Sequence, residues 1–240
     1  MKKFRKTTVD LLLRYLSNNP MEKLPAIFTV AEQLDRDQIH AGQIKELRAL
    51  LSDRQGMWYR FTENLFKEVN LHSLQKFVEC FLLNASLDGA AIAREAEEKY
   101  DCNIPWAILM DPTSACNLSC IGCWAAQYGD KNNLSFETMD SIICQGKELG
   151  THFYIFSGGE PLVRKKDVIR ICKKHNDCYF LSFTNGTLVD DAFCKELVDV
   201  GNFALAFSIE GDEASTDMRR GQGTYRKVIE AMERMREHKL

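Results

Sequence analysis

Four short β-rich runs, each followed by an amphipathic helix, fill the second half of this 240-residue chain. The predicted strands cover 106–110, 153–157, 179–184 and 203–209, and the predicted helices cover 135–149, 167–175, 190–200 and 225–238. Strand–helix units in series imply parallel strands joined by right-handed crossovers. In such sheets the ligand sites lie at the carboxyl ends of the strands. The pattern therefore predicts an α/β fold with a site along one edge of the sheet.

The first half of the chain has apolar side chains at helical spacing instead. Five such stripes begin near Val9, Ile27, Ile44, Trp58 and Leu74. Stripes of this kind usually form a core, so they indicate packed helices and do not name an activity. We expect an all-helical N-terminal module over residues 1–103 and a second domain over 104–240.

Composition excludes some functional classes. The formal net charge of −3 gives no support to a basic nucleic-acid surface. The N-terminal apolar run is short and is interrupted by Arg14, so it does not resemble a signal peptide, and no stretch reaches membrane-spanning length. We expect a cytoplasmic protein.

Three of the nine cysteines form a C-x3-C-x2-C array: Cys116, Cys120 and Cys123. Thiolates this close in sequence can converge on one soft metal centre, and three is one fewer than a closed tetrahedral site needs. The other six are scattered singly, and for most of them packing as small hydrophobic residues is the favoured interpretation: Cys80, Cys102, Cys144, Cys172, Cys178 and Cys194. Cys102, the nearest on the N-terminal side, is a candidate further ligand.

Each of the other three predicted strands also ends in an unusual loop. Gly158-Gly159-Glu160-Pro161 follows strand two, Ser182 to Gly186 closes strand three, and Ser208 to Gly211 closes strand four. Adjacent parallel strands are about 5 Å apart, so the four loops would line one rim and could share one ligand.

The side chains in these loops complement one another chemically. Two glycines let the backbone approach a ligand closely, and the carboxylate of Glu160 can accept hydrogen bonds from an ammonium group. Asn185, Ser182, Ser208 and Glu210 offer hydrogen bonds that suit a ribose or a carboxylate. The pair Arg219 and Arg220 could grip a carboxylate in bidentate fashion. Taken singly, each loop is more simply a turn or a solvated loop; four in succession, beginning with the cysteine array, favour a pocket for an amino acid joined to a nucleoside.

The motifs CNLSCIGC, SGGEP, TNG and SIEG, in this order between about Trp106 and Tyr225, resemble those of the radical S-adenosylmethionine (radical SAM) enzymes. The resemblance implies a partial (βα) TIM-type barrel, of which about four of the usual six units are present, preceded by the helical module. The stretch after strand four resembles members with C-terminal SPASM-type extensions.

The resemblance also implies the cofactors. Cys116, Cys120 and Cys123 would hold an oxygen-sensitive [4Fe-4S] cluster whose fourth iron is chelated by S-adenosyl-L-methionine. One electron, from a donor such as flavodoxin or ferredoxin, would yield a 5′-deoxyadenosyl radical that takes hydrogen from a peptide or a small-molecule cofactor precursor.

By position in these motifs, the methionine amine would be held by Gly158, Gly159 and Glu160. Candidates for the ribose or carboxylate are Asn185, Ser208 and Glu210, with Arg219 as a further candidate. The family usually has an aromatic residue just before the third cysteine, where this chain has Gly122, and Trp124 is the candidate substitute on adenine.

Two alternatives stay open at this point. The array could belong to a non-catalytic iron–sulfur or zinc protein, with Cys102 or His152 as a fourth ligand. Because the chain stops after the fourth unit, it could also be a fragment, a chain that a partner completes, or a truncated and inactive remnant.

Overall fold

The computed structural model describes residues 20–35, 38, 40–129 and 131–240, without the side chains of Leu34, Ala126 and Gln127. The helix predicted near Val9 lies outside the described residues. The chain divides into two compact units, Met1–Gln75 and Lys76–Leu240. None of the described helices combines the length and the apolar character that a membrane crossing requires.

The described part of the first unit is mainly helical. Its described helices are α1 (Pro20–Leu34), α2 (Ala41–Ser52), α3 (Met57–Glu68) and α4 (Leu71–Lys76), the last of which runs to the unit boundary. A small core forms where Leu24 and Phe28 of α1 meet Leu51 of α2. The stripe on α3 predicted Trp58 and Phe61 to be core, yet they are 47% and 52% exposed. Their rings instead contact each other edge to face, 6.0 Å apart.

The second unit contains the sheet. It begins with a π-helical segment (Phe77–Asp88) and α5 (Gly89–Tyr100). The strands are β1 (Ala107–Thr113), β2 (Phe153–Gly158), β3 (Tyr179–Thr184) and β4 (Phe203–Phe207). The helices between and after them are α6 (Phe136–Glu148), α7 (Lys165–Lys174), α8 (Asp191–Val200), α9 (Glu213–Arg220) and α10 (Thr224–Glu237), with short 3-10 turns at Trp124–Tyr128 and Pro161–Arg164.

All four strands are parallel and lie in chain order, β1-β2-β3-β4. Successive strands start in register, with Ala107 opposite Phe153 and Phe153 opposite Tyr179. The register shifts between Met110 and Thr113 of β1, because the chain there contains a proline that cannot donate a ladder hydrogen bond. The predicted α/β fold, a partial barrel of four strand–helix units preceded by helices, is confirmed.

Side-chain caps fix where several of the helices begin. Ser135, Asp190 and Asp212 each accept a hydrogen bond from the backbone N–H three residues later. Of the three helices, α9 is an element that the apolar pattern did not predict, because its eight residues have few apolar side chains.

The main core lies between one face of the sheet and the helices. Tyr154, Phe156 and Phe180 are fully buried there, and their rings stack at centroid distances of 5.8 and 5.7 Å. Helix side chains complete this core, among them Met139, Ile143, Val168, Ile171 and Leu197. Alternation along the strands leaves the other face for a different set of neighbours.

At the amino edge of that other face, the π-helical segment packs on the sheet. The ring of Phe81 lies 5.1 Å from Phe153, 5.7 Å from Tyr179 and 5.8 Å from Trp106. Because of these contacts, residues 76–103 belong to the same compact unit as the sheet. The domain boundary at residue 103 stays a prediction, and the boundary between compact units falls earlier, at residue 75.

Candidate functional site

A cavity of about 180 Å³ opens at the carboxyl edge of the sheet. Residues from all four strand ends line it: Cys116, Cys120, Cys123, Trp124, Ser157, Gly158, Gly159, Glu160, Phe183, Thr184, Asn185, Ser208, Arg219 and Arg220. The structure thus brings together every site residue that the sequence singled out except Glu210, which does not line the cavity, and Ser182. The Ser182 side chain is fully buried and donates to the carbonyl of Phe183.

The two glycines are required by the packing of the β2 loop against the β1 loop. A Cβ atom added at Gly158, whose φ is +108°, would lie 2.6 Å from the Thr113 carbonyl oxygen, and one at Gly159 would lie 2.2 Å from that of Ala115. Because no larger side chain fits, Gly159 and Glu160 can donate their N–H groups to Thr113 and Ala115 at 2.9 and 2.8 Å. These bonds fix the backbone immediately before Cys116.

Glu160 is almost fully buried and joins two loops through its carboxylate. Oε1 accepts from the Leu162 N–H at 3.0 Å and from the Thr184 hydroxyl at 2.8 Å, while Oε2 accepts from the Asn185 N–H at 2.7 Å. Burial raises the pKa of this carboxyl, and the three hydrogen bonds oppose that shift. A carboxylate oxygen can accept more than one bond, so Oε2 retains capacity for a donor in the cavity.

Asn185 belongs to a polar network that reaches the cysteine loop. Its Nδ2 donates to Asn117 Oδ1 at 2.9 Å and approaches Cys116 Sγ at 3.9 Å. Its Oδ1 accepts from the N–H and the hydroxyl of Thr187 at 3.0 and 2.7 Å. A ligand that forms a hydrogen bond with the Asn185 amide would therefore replace one of its bonds to Asn117 or Thr187.

Glu210 contacts two arginines that line the cavity, Arg219 and Arg220, without lining it itself. Its Oε1 accepts from Arg219 at 2.5 Å and from Arg220 at 2.6 and 2.9 Å. The hydrogen bonds from Arg220, the largest cause, lower the pKa of this carboxyl. That Glu210 contacts ribose or carboxylate stays a prediction; in this structure its carboxylate contacts Arg219 and Arg220 and holds both in position.

The end of α9 also fixes the cysteine loop. The Arg219 carbonyl accepts from the Ile121 N–H at 2.8 Å, and Arg219 Nε donates to the Ile121 carbonyl at 3.4 Å. The loop between the second and third cysteines is thereby joined to the helix after β4. Among the pocket's described residues, Arg220 is the cation with the less exposed side chain, 14% against 43% for Arg219.

Trp124 lies where an aromatic wall is possible. Its ring is 58% exposed, lies 6.0 Å from that of Tyr128, and lines the cysteine cavity. Gly122, where the family has an aromatic residue, adopts φ +70°, a conformation that favours glycine over a bulky side chain. The local backbone thus accounts for the absence of an aromatic side chain at 122.

Asp111 is a polar group that the sequence reasoning did not single out. It lines a second cavity, of about 520 Å³, that shares Gly158 and Trp124 with the first. Its Oδ1 atom is buried and has no hydrogen-bond partner among the described residues, and burial raises the pKa of the carboxyl. The signal in the sequence was a charged residue followed by proline at the end of an apolar strand.

The donor set suits an iron–sulfur cluster better than a single zinc ion. Three thiols from one loop line one cavity, and burial raises the pKa of Cys116 and Cys120. A tetrahedral Zn²⁺ with bonds of ~2.3 Å requires sulfurs roughly 3.8 Å apart. The sulfurs of Cys116, Cys120 and Cys123 do not all lie within 4.8 Å of one another; among the described residues, the ligand atoms that do belong to Asp140, Cys144 and His175. A cubane places each cysteine on its own iron, so its sulfurs are not subject to that limit.

The fourth ligands of the zinc alternative are at the wrong edge of the sheet. His152 directly precedes β2 and Cys102 precedes β1, so both are at the amino edge. Six strand residues at about 3.3 Å each separate His152 from the Gly158 end of its strand, roughly 20 Å. Neither residue lines the cysteine cavity, and both are excluded as fourth ligands in this structure.

Comparisons with known proteins agree with this geometry. A model of the radical SAM superfamily matches residues 110–240. The chain is 32% identical over 118 residues to Fe-coproporphyrin III synthase of Methanosarcina barkeri, covering 48% of this chain and 29% of that enzyme. It is 28% identical over 159 residues to the serine-type anaerobic sulfatase-maturating enzyme of Klebsiella aerogenes, covering 57% and 38%.

The solved structure of Streptococcus suis SuiB bound to the precursor peptide SuiA has a similar fold. Its TM-score is 0.52 at 21% identity, covering 63% of this chain and 35% of SuiB. The chain thus spans about a third of the length of these relatives. Because the superfamily match extends over more than half of the chain and over all four strand ends that form the cavity, the protein belongs to the radical SAM superfamily.

Proposed function

We propose that this chain binds a [4Fe-4S] cluster through Cys116, Cys120 and Cys123 and positions S-adenosyl-L-methionine for reductive cleavage. When bound and reduced, the cluster would supply the electron for cleavage of the C5′–sulfur bond, which would give methionine and a 5′-deoxyadenosyl radical able to abstract hydrogen. The observation that carries the proposal is the convergence of three thiols with the loops of β2, β3 and β4 on one cavity.

The chain's own groups would bind different parts of S-adenosylmethionine. The backbone of Gly158 and Gly159 and the free capacity of Glu160 Oε2 suit the methionine ammonium. Arg220, whose side chain is mostly buried and already oriented by Glu210, suits the carboxylate. Asn185 and Ser208 border the remaining space, where ribose hydroxyls would find a donor and an acceptor, and the exposed face of Trp124 offers a surface for adenine.

The substrate class of the proposal comes from relatives. One is named a sulfatase-maturating enzyme, another a PqqA peptide cyclase and a third an Fe-coproporphyrin III synthase. We therefore propose a peptide or a small cofactor precursor as substrate, with reduced flavodoxin or ferredoxin as the electron donor.

Anaerobic reconstitution tests the proposal. Purified chain is incubated with iron and sulfide, its iron is counted, and the reduced protein is mixed with S-adenosylmethionine while 5′-deoxyadenosine is measured. We expect about four irons per chain and formation of 5′-deoxyadenosine. Absence of a cluster would overturn the whole proposal, whereas a cluster without 5′-deoxyadenosine would leave a cluster-binding protein and overturn the proposed cleavage.

A further inference from the structure

A second group of metal-ligating side chains lies on the helices, outside the cysteine cavity. Helix α6 carries Asp140 and Cys144, and His175 follows the end of α7. One ligand atom from each lies within 4.8 Å of the others. We propose that Asp140, Cys144 and His175 form a binding site for Zn²⁺, or for a divalent cation of similar softness, that is independent of the cluster.

Two of the ligands are placed by helical spacing. Residues four apart on an α-helix lie on one face, one turn above the other. Asp140 and Cys144 have this spacing, and the exposed thiol of Cys144 gives an entering ion access to the site. The helix therefore presents a carboxylate and a thiol to the same point without any rearrangement of its backbone.

The third ligand is held rigidly by its own main chain. The His175 N–H donates to the Ile171 carbonyl at 2.9 Å, and the His175 carbonyl accepts from the Cys178 N–H at 3.0 Å and from Asn202 Nδ2 at 3.2 Å. The residue is only 3% exposed. A ligand that is fixed in this way loses little conformational freedom when a metal binds.

The donor set selects the class of ion. Carboxylate oxygen, thiolate sulfur and imidazole nitrogen are the ligands of zinc, whereas Mg²⁺ and Ca²⁺ prefer oxygen alone. Two anionic ligands would balance the charge of a divalent ion, and three protein ligands leave a fourth position for water.

An entering ion has two existing contacts to displace. His175 Nε2 lies 2.8 Å from Asp140 Oδ1, and Lys174 Nζ donates to Oδ2 at 2.8 Å. On metal binding, the proton on Nε2 would shift to Nδ1 or leave, and the Cys144 thiol would release its proton to solvent. The Lys174 side chain is 51% exposed, so it can turn toward water without leaving a buried charge.

The test uses the full chain with Cys116, Cys120 and Cys123 replaced by alanine, so that cluster ligands cannot bind the probe ion. Co²⁺ is titrated in, the thiolate-to-cobalt charge-transfer absorption is followed, and Zn²⁺ is added to displace it. We expect one equivalent to bind with this absorption. No stoichiometric uptake, or uptake without the charge-transfer absorption, would overturn the proposal.

Two further substitutions in that background sharpen the result. Cys144→Ala should abolish the charge-transfer absorption and weaken binding at least tenfold, and Asp140→Asn should weaken binding while retaining a hydrogen-bonding group beside His175. Cys102→Ala is the matched control, since Cys102 is also an exposed thiol, and it should leave binding unchanged. Binding that survives Cys144→Ala would show that the trio is only a structural contact between helices.

Discussion

The two edges of the four-stranded sheet use different kinds of residue. At the carboxyl edge, glycines, a buried carboxylate and two arginines surround the cysteine cavity, and many polar atoms there are joined in pairs across loops. At the amino edge, aromatic rings of the π-helical segment pack on Phe153 and Tyr179. The same strands thus bear an edge suited to binding and an edge suited to stability.

Because the two edges differ in this way, substitutions at the carboxyl edge should mainly affect function and substitutions at the amino edge should mainly affect folding. Burial of aromatic rings at the amino edge stabilises the fold by removing apolar area from water. This contribution does not depend on any ligand. Hydrogen bonds at the carboxyl edge contribute less net stability but fix positions to within a bond length.

Replacing Cys116, Cys120 or Cys123 by alanine should remove the cluster completely. Iron in the reconstituted protein should fall from about four per chain to near zero, while the unfolding midpoint of the cluster-free protein stays the same, because these thiols are exposed or half-buried. Iron analysis checks the loss of the cluster, and urea unfolding checks the unchanged midpoint. Cys102→Ala is the control, and loss of iron in that variant as well would point to general damage.

Phe153→Ala should have the opposite profile at the amino edge. Phe153 is only 8% exposed, and its ring centroid lies 5.1 Å from that of Phe81 and 5.3 Å from that of Trp106. Its loss should lower the free energy of unfolding by about 3–4 kcal/mol, measured by urea denaturation. The folded variant should still bind iron. A loss below about 1 kcal/mol would mean that the aromatic cluster collapses around the cavity.

Glu160→Gln tests a residue of the carboxyl edge that contributes to both stability and the cavity. The carboxylate now accepts hydrogen bonds from three donors. The NH₂ group of a glutamine would face at least one of these donors and could not accept its hydrogen bond. We expect a loss of about 2 kcal/mol in unfolding free energy together with weaker binding of S-adenosylmethionine, measured by calorimetry. The exposed Glu148→Gln should change neither quantity, and equal effects in the two variants would contradict the assigned contacts.

Asp111→Asn should stabilise the protein slightly, by at most about 1 kcal/mol at neutral pH, because it removes a partly buried charge whose Oδ1 has no hydrogen-bond partner among the described residues. The folded pKa of Asp111 is raised by burial, so its contribution to stability is most favourable below the unfolded pKa and declines as pH rises through the folded one. Urea unfolding of both proteins at pH 4 to 8 checks this: the advantage of the variant should grow with pH. An advantage that is constant across this range would contradict it.

Much of the architecture was predictable from the sequence, since strand–helix alternation fixes parallel order and places all four loops on one edge. Of the six scattered cysteines, Cys80, Cys172, Cys178 and Cys194 are buried, as small hydrophobic residues are expected to be, whereas Cys102 and Cys144 are exposed. The spacing of apolar residues was sufficient to predict an element where one helical or strand period extends along its whole length.

Other features depended on contacts between distant residues. The need for Gly158 and Gly159 arises from carbonyls of another loop, which no local pattern reveals. Helix α9 has too few apolar residues to show a period, and its visible signal was the Asp212 cap. The contacts of Glu210 with two arginines about ten positions later depend on the fold, so its motif position alone did not reveal them.

The bond between Arg219 and the cysteine loop has a consequence for the order of synthesis. The side chain of Arg219 meets Ile121 across 98 positions of sequence. A ribosome therefore releases the three thiols well before it makes the residue that fixes their loop, and until then they belong to a segment with many conformations. Metal delivered during that interval would meet unarranged thiols, which any soft ion can bind. If the proposed cluster is bound, iron–sulfur delivery should therefore be most faithful after the fourth strand–helix unit has been made.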